Sequence, residues 1–436
     1  MAQKSSALGL WTLIALVVAN MIGAGVFTTS GFALGDLGSP LRVLAAWLVG
    51  GMLALCGALS YGALCRLIPD SGGEYLYLSR AIHPSAGFIA GWISLLAGFT
   101  ASIAYAALTF VAYAMPASTP LMTNVVATLV IVAAVSLHAL RVRQGAWAQN
   151  AAVTLKLLLM LGFCAFAVFG SGISSWMGLA EIQNEAYEIP PFSIATFALS
   201  LMWISFSYLG FNAAVYLAGE VPSARQQIPR ALVLGTIVTI LFYLALNTVF
   251  VLVPSFDAVA FRGDVAAVAA EAVGGGPMAA AVRLVVALAL FTSVSAMVMI
   301  GPRVYAKMAD DGLFPPALRL KRGTPTAAVL MQGVLAAAVV WLTGLRELLS
   351  YLGFTLGLST AATVGALFVI VRRNPSCAGA LPGYPWAPAI FIVFTLLFAA
   401  LAATVNPWEM LAALATIASG ALLYAVARSR VRTHGA

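Results

Sequence analysis

The stretch Ala19-Asn20-Met21-Ile22-Gly23-Ala24-Gly25-Val26-Phe27 decides the fold. It lies in the middle of an apolar run covering about 8–34, and crossing a roughly 30 Å hydrocarbon core takes about 20 such residues. A Gly-x-Gly at that depth interrupts a helix that has every other reason to continue. The sixth apolar run holds a matching interruption, Phe206-Ser207-Tyr208-Leu209-Gly210-Phe211-Asn212, polar where a plain anchor would be apolar. Unwinding exposes backbone N–H and C=O groups inside the membrane, which is tolerable only where they line a cavity. Glycines in membrane helices also permit close packing. A single Gly-x-Gly would be read that way. Paired breaks five segments apart instead point to two inverted five-helix repeats and a transport site between them.

Composition fits this reading. The 436 residues are 62% hydrophobic and only 8% charged, against about 25% charged in soluble domains. That excludes a cytosolic enzyme, a disordered scaffold and a nucleic-acid-binding domain. The net charge of +8 is dispersed between apolar runs rather than gathered in a patch. Cys56, Cys65, Cys164 and Cys377 show neither disulfide nor metal spacing. His83, His138 and His434 stand at segment ends or in the tail. No nucleophile–base constellation, phosphate loop or metal cluster is present, so neither an enzyme nor a cofactor is expected.

Twelve apolar segments follow, at about 8–34, 41–67, 83–114, 120–139, 149–170, 192–218, 231–254, 279–306, 326–343, 347–371, 387–405 and 408–427. Nothing alternates as transmembrane strands do. The fold class expected is an all-α integral membrane protein in one domain spanning 1–436: helices one to five over about 8–170, six to ten over about 192–371, and two more over about 387–427. With the N-terminus inside, 17 of the 22 Lys and Arg fall in cytoplasmic segments, the bias that sets orientation. Both termini are therefore expected in the cytoplasm and the chain in the inner membrane. Residues 171–191 form an acidic external connection, and 255–278 are expected to make short helices over the outer face.

Freed N–H groups at the start of the outer half of helix one attract a carboxylate, and freed carbonyls attract an ammonium. Together they describe a receptor for a zwitterionic amino acid.

Longer motifs identify a resemblance. Ile22-Gly23-Ala24-Gly25-Val26-Phe27 resembles the first-helix I-G-[SA]-G-I-F of the amino acid–polyamine–organocation superfamily. Pro69-Asp70-Ser71-Gly72-Gly73-Glu74-Tyr75-Leu76-Tyr77 is similar to its P-x-[ST]-G-G-x-Y-x-Y loop. Tyr208-Leu209-Gly210-Phe211-Asn212, Gly219-Glu220-Val221-Pro222 and Ile228-Pro229-Arg230-Ala231 resemble its sixth-helix stretch, and Arg303 to Pro315 the segment after helix eight. The motifs stand in family order and point to the branch of L-amino acid transporters.

The resemblance implies a LeuT-like five-plus-five inverted repeat with two extra C-terminal helices, and amino acid transport by alternating access. It places the substrate carboxylate on the N–H groups around Gly23, Ala24 and Gly25. The ammonium would face carbonyls of Met21 and Ile22, and of Phe206 and Leu209, with Phe206 as aromatic gate. Ser207 and Asn212 complete the substrate set. Leu209 and Phe211 depart from the commoner small residue and Trp, and Leu209 favours small side chains.

Lys156, the one ionisable residue well inside a span, marks function by its cost at that depth, although it is near enough to one end to snorkel. Titrating, it makes a proton symporter; permanently charged, it replaces sodium and leaves an exchanger. Tyr243, Ser293 and Ser295 are further candidates for the coupling site. The substrate expected is a small neutral L-amino acid, because neither break carries an acid. A cationic amino acid or polyamine carrier and a non-transporting sensor are the alternatives. The partners expected are the amino acid and the bilayer, with no nucleic acid, no metal and no obligatory protein subunit, since no cysteine stands in an external loop.

Overall fold

The structure, a computed structural model, describes residues 9–139, 146–170, 190–310, 312, 314–319 and 326–434. Among them there is no strand. The apolar runs become helices, bounded by recognisable local chemistry. The first run divides into α1 (Leu10–Met21) and α2 (Ala24–Leu37), bent by 44° at the predicted break. Gly38 closes α2 in the left-handed conformation at φ 66°, the usual role of glycine after a helix. Next come α3 (Pro40–Leu67), started by a proline at N1, and the short α4 (Gly73–Ala81).

The third run opens as α5 (Pro84–Ile93), continues as a π-helix over Ser94–Ala101 and ends as α6 (Ser102–Ala114). α7 (Pro120–Ala139) and α8 (Ala146–Gly170) complete the first half. The sixth run forms α9 (Ile194–Tyr208), capped by Ser193 Oγ on the Thr196 N–H at 3.3 Å. Beyond its break the chain runs as a 3₁₀ helix, Ala213–Glu220, overlapping the end of the apolar segment of 192–218. α10 (Ala224–Leu252) follows, then α11 (Phe256–Val259) and α12 (Val265–Asp310). The short helices expected over 255–278 are present: α12 is bent at Gly274 and Gly275, which detaches its first turns from its long span. α13 (Thr326–Leu342), α14 (Leu345–Arg373), α15 (Trp386–Ala403) and α16 (Pro407–His434) end the chain.

Nine helices among the described residues are long and apolar enough to cross a membrane, and the bent α1–α2 pair makes a tenth. Large apolar side chains stand exposed around the outside, among them Leu241, Val334, Val393 and Leu422, a surface suited to lipid rather than water. The chain is a multi-pass membrane protein. The acidic connection of 171–191 lies, up to residue 189, outside the described residues.

Two packed groups organise the interior. α1, α2, α3, α9 and α10 lie against one another, while α6, α7, α12 and α13 form a second set. Small residues set the distances in the first group, as expected where lipid removes a hydrophobic drive between helices. A Cβ at Gly235 of α10 would come within 2.7 Å of Val17 on α1, and one at Gly50 of α3 within 2.6 Å of Ile204 on α9.

Candidate functional site

The first break is built almost wholly from backbone. The Ile22 N–H bonds Val18 O at 3.1 Å, ending α1, and the Gly23 N–H turns back onto Met21 O at 2.9 Å. Gly23 then N-caps α2 with no side chain to offer. The N–H groups of Ala24 and Gly25 open that helix, where no intrahelical acceptor exists and the dipole end is positive. The two glycines differ in purpose. A Cβ at Gly23 would meet only Met21 O, at 4.0 Å, so its face is open. One at Gly25 would lie 2.4 Å from Ser207 Oγ and 2.9 Å from Ser207 Cα, so its face is where helix six touches helix one.

The second break closes on the first. The Leu209 N–H bonds Phe206 O at 3.0 Å as α9 ends. Gly210 follows at φ +109°, a conformation side chains rarely take. A Cβ there would sit 2.7 Å from Asn20 O and 2.8 Å from Asn20 C, so the two unwound backbones cross in contact. Tyr243 Oη on α10 lies 2.6 Å from Met21 O and 3.0 Å from Ser207 O, reaching one carbonyl from each break. Ser207 Oγ lies 3.0 Å from Thr29 Oγ1 and adds a second tie between the helices.

The predicted residues thus separate by role. Gly23, Ala24 and Gly25 stand together at the start of α2, but the Gly23 N–H is occupied, leaving Ala24 and Gly25 as the donors. Met21 O is also engaged, by Gly23 and Tyr243. Phe206 packs edge-on against Tyr105, ring centroids 5.4 Å apart. With Leu209 it walls a cavity of about 30 Å³ behind α9, room for a water or two. The Ser207 side chain serves the contact with α2 rather than an open space. Asn212 donates to Glu74 at 3.3 Å, which ties the end of the second break to the α3–α4 connection.

The coupling candidates also divide. Ser293 Oγ donates to Ala289 O at 2.9 Å within its own helix. Ser295 Oγ pairs with His138 Nε2 at 2.9 Å. Lys156 stands on α8, but its side chain lies outside the described residues. No group of three His, Cys, Asp or Glu side chains among the described residues is arranged to hold a metal.

A polar chain absent from the sequence reading supports the site from behind. Trp47 Nε1 donates to Ser30 Oγ at 2.8 Å, and Ser30 donates to Asn247 Oδ1. Asn247 Nδ2 bonds Tyr243 O at 2.8 Å. Asn247 lies four residues after Tyr243 and hence on the same helix face; a buried-side Asn at that spacing was the available signal.

Beyond α9 the structure is shut. Arg346 donates to both carboxylate oxygens of Asp36 at 2.6 Å. Its guanidinium also lies 5.3 Å from the Trp203 ring and 5.8 Å from that of Phe261. Trp203 is fully buried and donates to Ser350 Oγ at 2.8 Å. The Phe261 N–H bonds Gly31 O at 2.8 Å. These contacts seal the end of α2 beneath α11 and α14. On the opposite side of the break, Asn20 is exposed. Met21, Ile22 and Ala24 beside it are buried.

Two unwound helices are joined here backbone to backbone, with the first-turn N–H groups of Ala24 and Gly25 beside the open face of Gly23. The profile of the amino acid permease family matches residues 8–428. The chain belongs to that family. Human large neutral amino acids transporter small subunit 2 is 26% identical over 400 residues, covering 89% of this chain and 74% of its own. Mouse Asc-type amino acid transporter 1 is 24% identical over the same shares. Mouse b(0,+)-type amino acid transporter 1 is 24% identical over 427 residues, 95% of this chain and 86% of its own. These are transporters and not enzymes, and this permease is one of their kind in sequence.

Proposed function

We propose that this permease carries small neutral L-amino acids across the cytoplasmic membrane by alternating access, as an exchanger or a proton-coupled symporter. The observation that carries the reading is the pair of breaks bridged by Tyr243, with the open face of Gly23 beside the bare N–H groups of Ala24 and Gly25. A carboxylate suits those donors, and the carbonyls of Phe206 and Leu209 at the facing break suit the ammonium. Neutral side chains follow from the surroundings. The acid bonded nearest the second break is Glu74, fastened behind Asn212. Trp203, the nearest aromatic candidate for stacking on a second charge, is buried beneath Arg346. Relatives whose names specify large neutral, Asc-type and b(0,+)-type transport support amino acids as the class.

The nine long helices, the bent α1–α2 pair and the shorter apolar helices Leu157–Ala167 and Thr326–Leu342 support a reading of twelve spans. They support two five-helix repeats followed by α15 and α16. The Lys and Arg bias supports cytoplasmic termini in an inner membrane, so that Asp36 and Arg346 close the outer face and Asn20 faces the cytoplasmic route. The chain acts without a protein subunit.

The deciding experiment is uptake of labelled neutral amino acids into proteoliposomes of the purified chain, some loaded with unlabelled amino acid and some empty with an acidic exterior. Uptake confined to loaded vesicles establishes exchange. Uptake into empty vesicles that collapses with the pH gradient establishes proton symport. Silence in both overturns the neutral substrate and turns attention to cationic amino acids and polyamines.

A further inference from the structure

The loop Pro69-Asp70-Ser71-Gly72-Gly73-Glu74 grips the 3₁₀ stretch that follows the helix-six break at three successive points. Ser71 Oγ accepts from the Gly219 N–H at 2.9 Å. Gly73, at φ +55°, lies against Tyr216, where a Cβ would be 2.2 Å from the ring. Glu74 Oε1 accepts from Asn212 Nδ2 at 3.3 Å. The same carboxylate is fastened to two long helices: Tyr61 Oη on α3 donates at 2.6 Å and Ser359 Oγ on α14 at 3.3 Å. Glu74 is only 8% exposed. It is the point through which α3, α4, α14 and the post-break stretch of helix six are held together.

Three donors and no counter-ion make an unusual setting for a buried acid. No Lys, Arg or His pairs with Glu74 among the described residues; Arg80 of its own helix pairs with Asp70. The titratable groups facing it are Tyr61 from α3 and Tyr216 from the 3₁₀ stretch. α14 contributes the hydroxyls of Ser359 and Thr363. Burial pushes the Glu74 carboxyl above the usual carboxylate range, while the bonds from Tyr61 and Ser359 pull it back toward ionisation. Glu74 lies outside the membrane-length helices, on the face that carries the α3–α4 connection.

We propose that Glu74 is a proton-binding site that times the opening of this face: it holds a proton while the clamp on residues 212–219 is shut and gives it to water when that stretch moves away. The proposal rests on the transport reading above. The sign follows from linkage. The shut, buried carboxyl binds its proton more tightly than one reached by water, so acid on this face favours the shut clamp and rising pH favours release. The acid loses its proton to solvent, and the carboxylate left behind is hydrated. Nothing else is consumed.

Hydrogen exchange of the purified full chain in lipid nanodiscs tests this without any need for flux. With rates corrected for intrinsic pH dependence, protection over 211–220 is expected to fall about tenfold or more between ~pH 5 and ~pH 8. Glu74→Gln stays neutral at every pH, so its protection is expected to change by less than about twofold. Ser359→Ala removes a donor that favours the ionised form and is expected to raise the midpoint by about half a pH unit or more. A Glu74→Gln chain that keeps the wild-type pH dependence, or loses protection equally at all pH values, overturns the proposal. So does an unmoved midpoint in Ser359→Ala. An intact exchange pattern in a chain that moves no amino acid refutes the transport reading and leaves the clamp standing.

Discussion

At Tyr243 one hydroxyl lies within bonding distance of two carbonyls, Met21 O and Ser207 O, and its single proton can serve only one at a time. Its position ties the breaks to each other more than it fills core. Tyr243→Phe keeps the ring packed against Trp47 and Tyr208 and removes one hydrogen bond, a loss of about 1 kcal/mol. The expected outcome is a thermal midpoint within a few degrees of wild type and uptake reduced about tenfold. Gly25→Ala behaves differently, because its methyl would press on the Ser207 backbone, which cannot swing aside. Overpacking of this kind costs about 1–3 kcal/mol, and that variant is expected to lose both stability and uptake in the same assays. Lys156→Ala is expected to cut uptake at neutral pH by more than about tenfold, as befits an ionisable group at membrane depth. Near-normal uptake would remove Lys156 from the mechanism. At this scale the sequence was informative about backbone and poor about side-chain direction. The Gly-x-Gly and Gly210 announced the breaks, and Tyr243 was identified on its helix. The bond from Asn212 to Glu74, 138 positions earlier, was not legible, because nothing local shows which acceptor the folded chain brings to it.

Among the elements, the closure beyond α9 depends on how α2, α11 and α14 meet. Arg346 brings together an ion pair with Asp36 and two aromatic faces, Trp203 and Phe261. A guanidinium does this where an ammonium would not, since its planar fork bonds the carboxylate while its face stacks on the rings. Arg346→Gln is therefore expected to loosen α11 in particular. The readout is exchange at the Phe261 N–H, which now bonds Gly31 O; it should quicken about tenfold while core amides of α10 keep their protection. Unchanged exchange at Phe261 would mean that the closure does not depend on Arg346. Segment positions were legible because apolar length and charge placement fix them. The π-helix of Ser94–Ala101 and the 3₁₀ run of Ala213–Glu220 were not. A change of helical register alters which backbone groups pair without altering composition, and only neighbouring elements select it. For Ala213–Glu220 that neighbour is the Ser71–Glu74 loop.

For the molecule as a whole, the open question is whether the chain works alone. One relative is named as a small subunit, which sets up the expectation of a partner for that protein. The argument for this chain starts from its four thiols. Cys65 and Cys164 are buried, Cys56 is half-buried on α3, and Cys377 follows Arg372 and Arg373 at the end of α14, the basic side proposed to face the cytoplasm. None stands in a segment proposed for the outer face, so no disulfide-linked extracellular partner is expected. On the proposed outer side stand α11 and the first turns of α12, held by Arg262 and Arg283 on Asp264. Purified chain reconstituted by itself is therefore expected to transport at a rate unaffected by reductant. Adding a membrane extract should not raise that rate beyond about twofold, the scale of a nonspecific lipid effect rather than of a missing subunit. Activity that appears only with a second polypeptide would refute solitary function. It would leave the two joined breaks, and the reading of what they bind, unaffected.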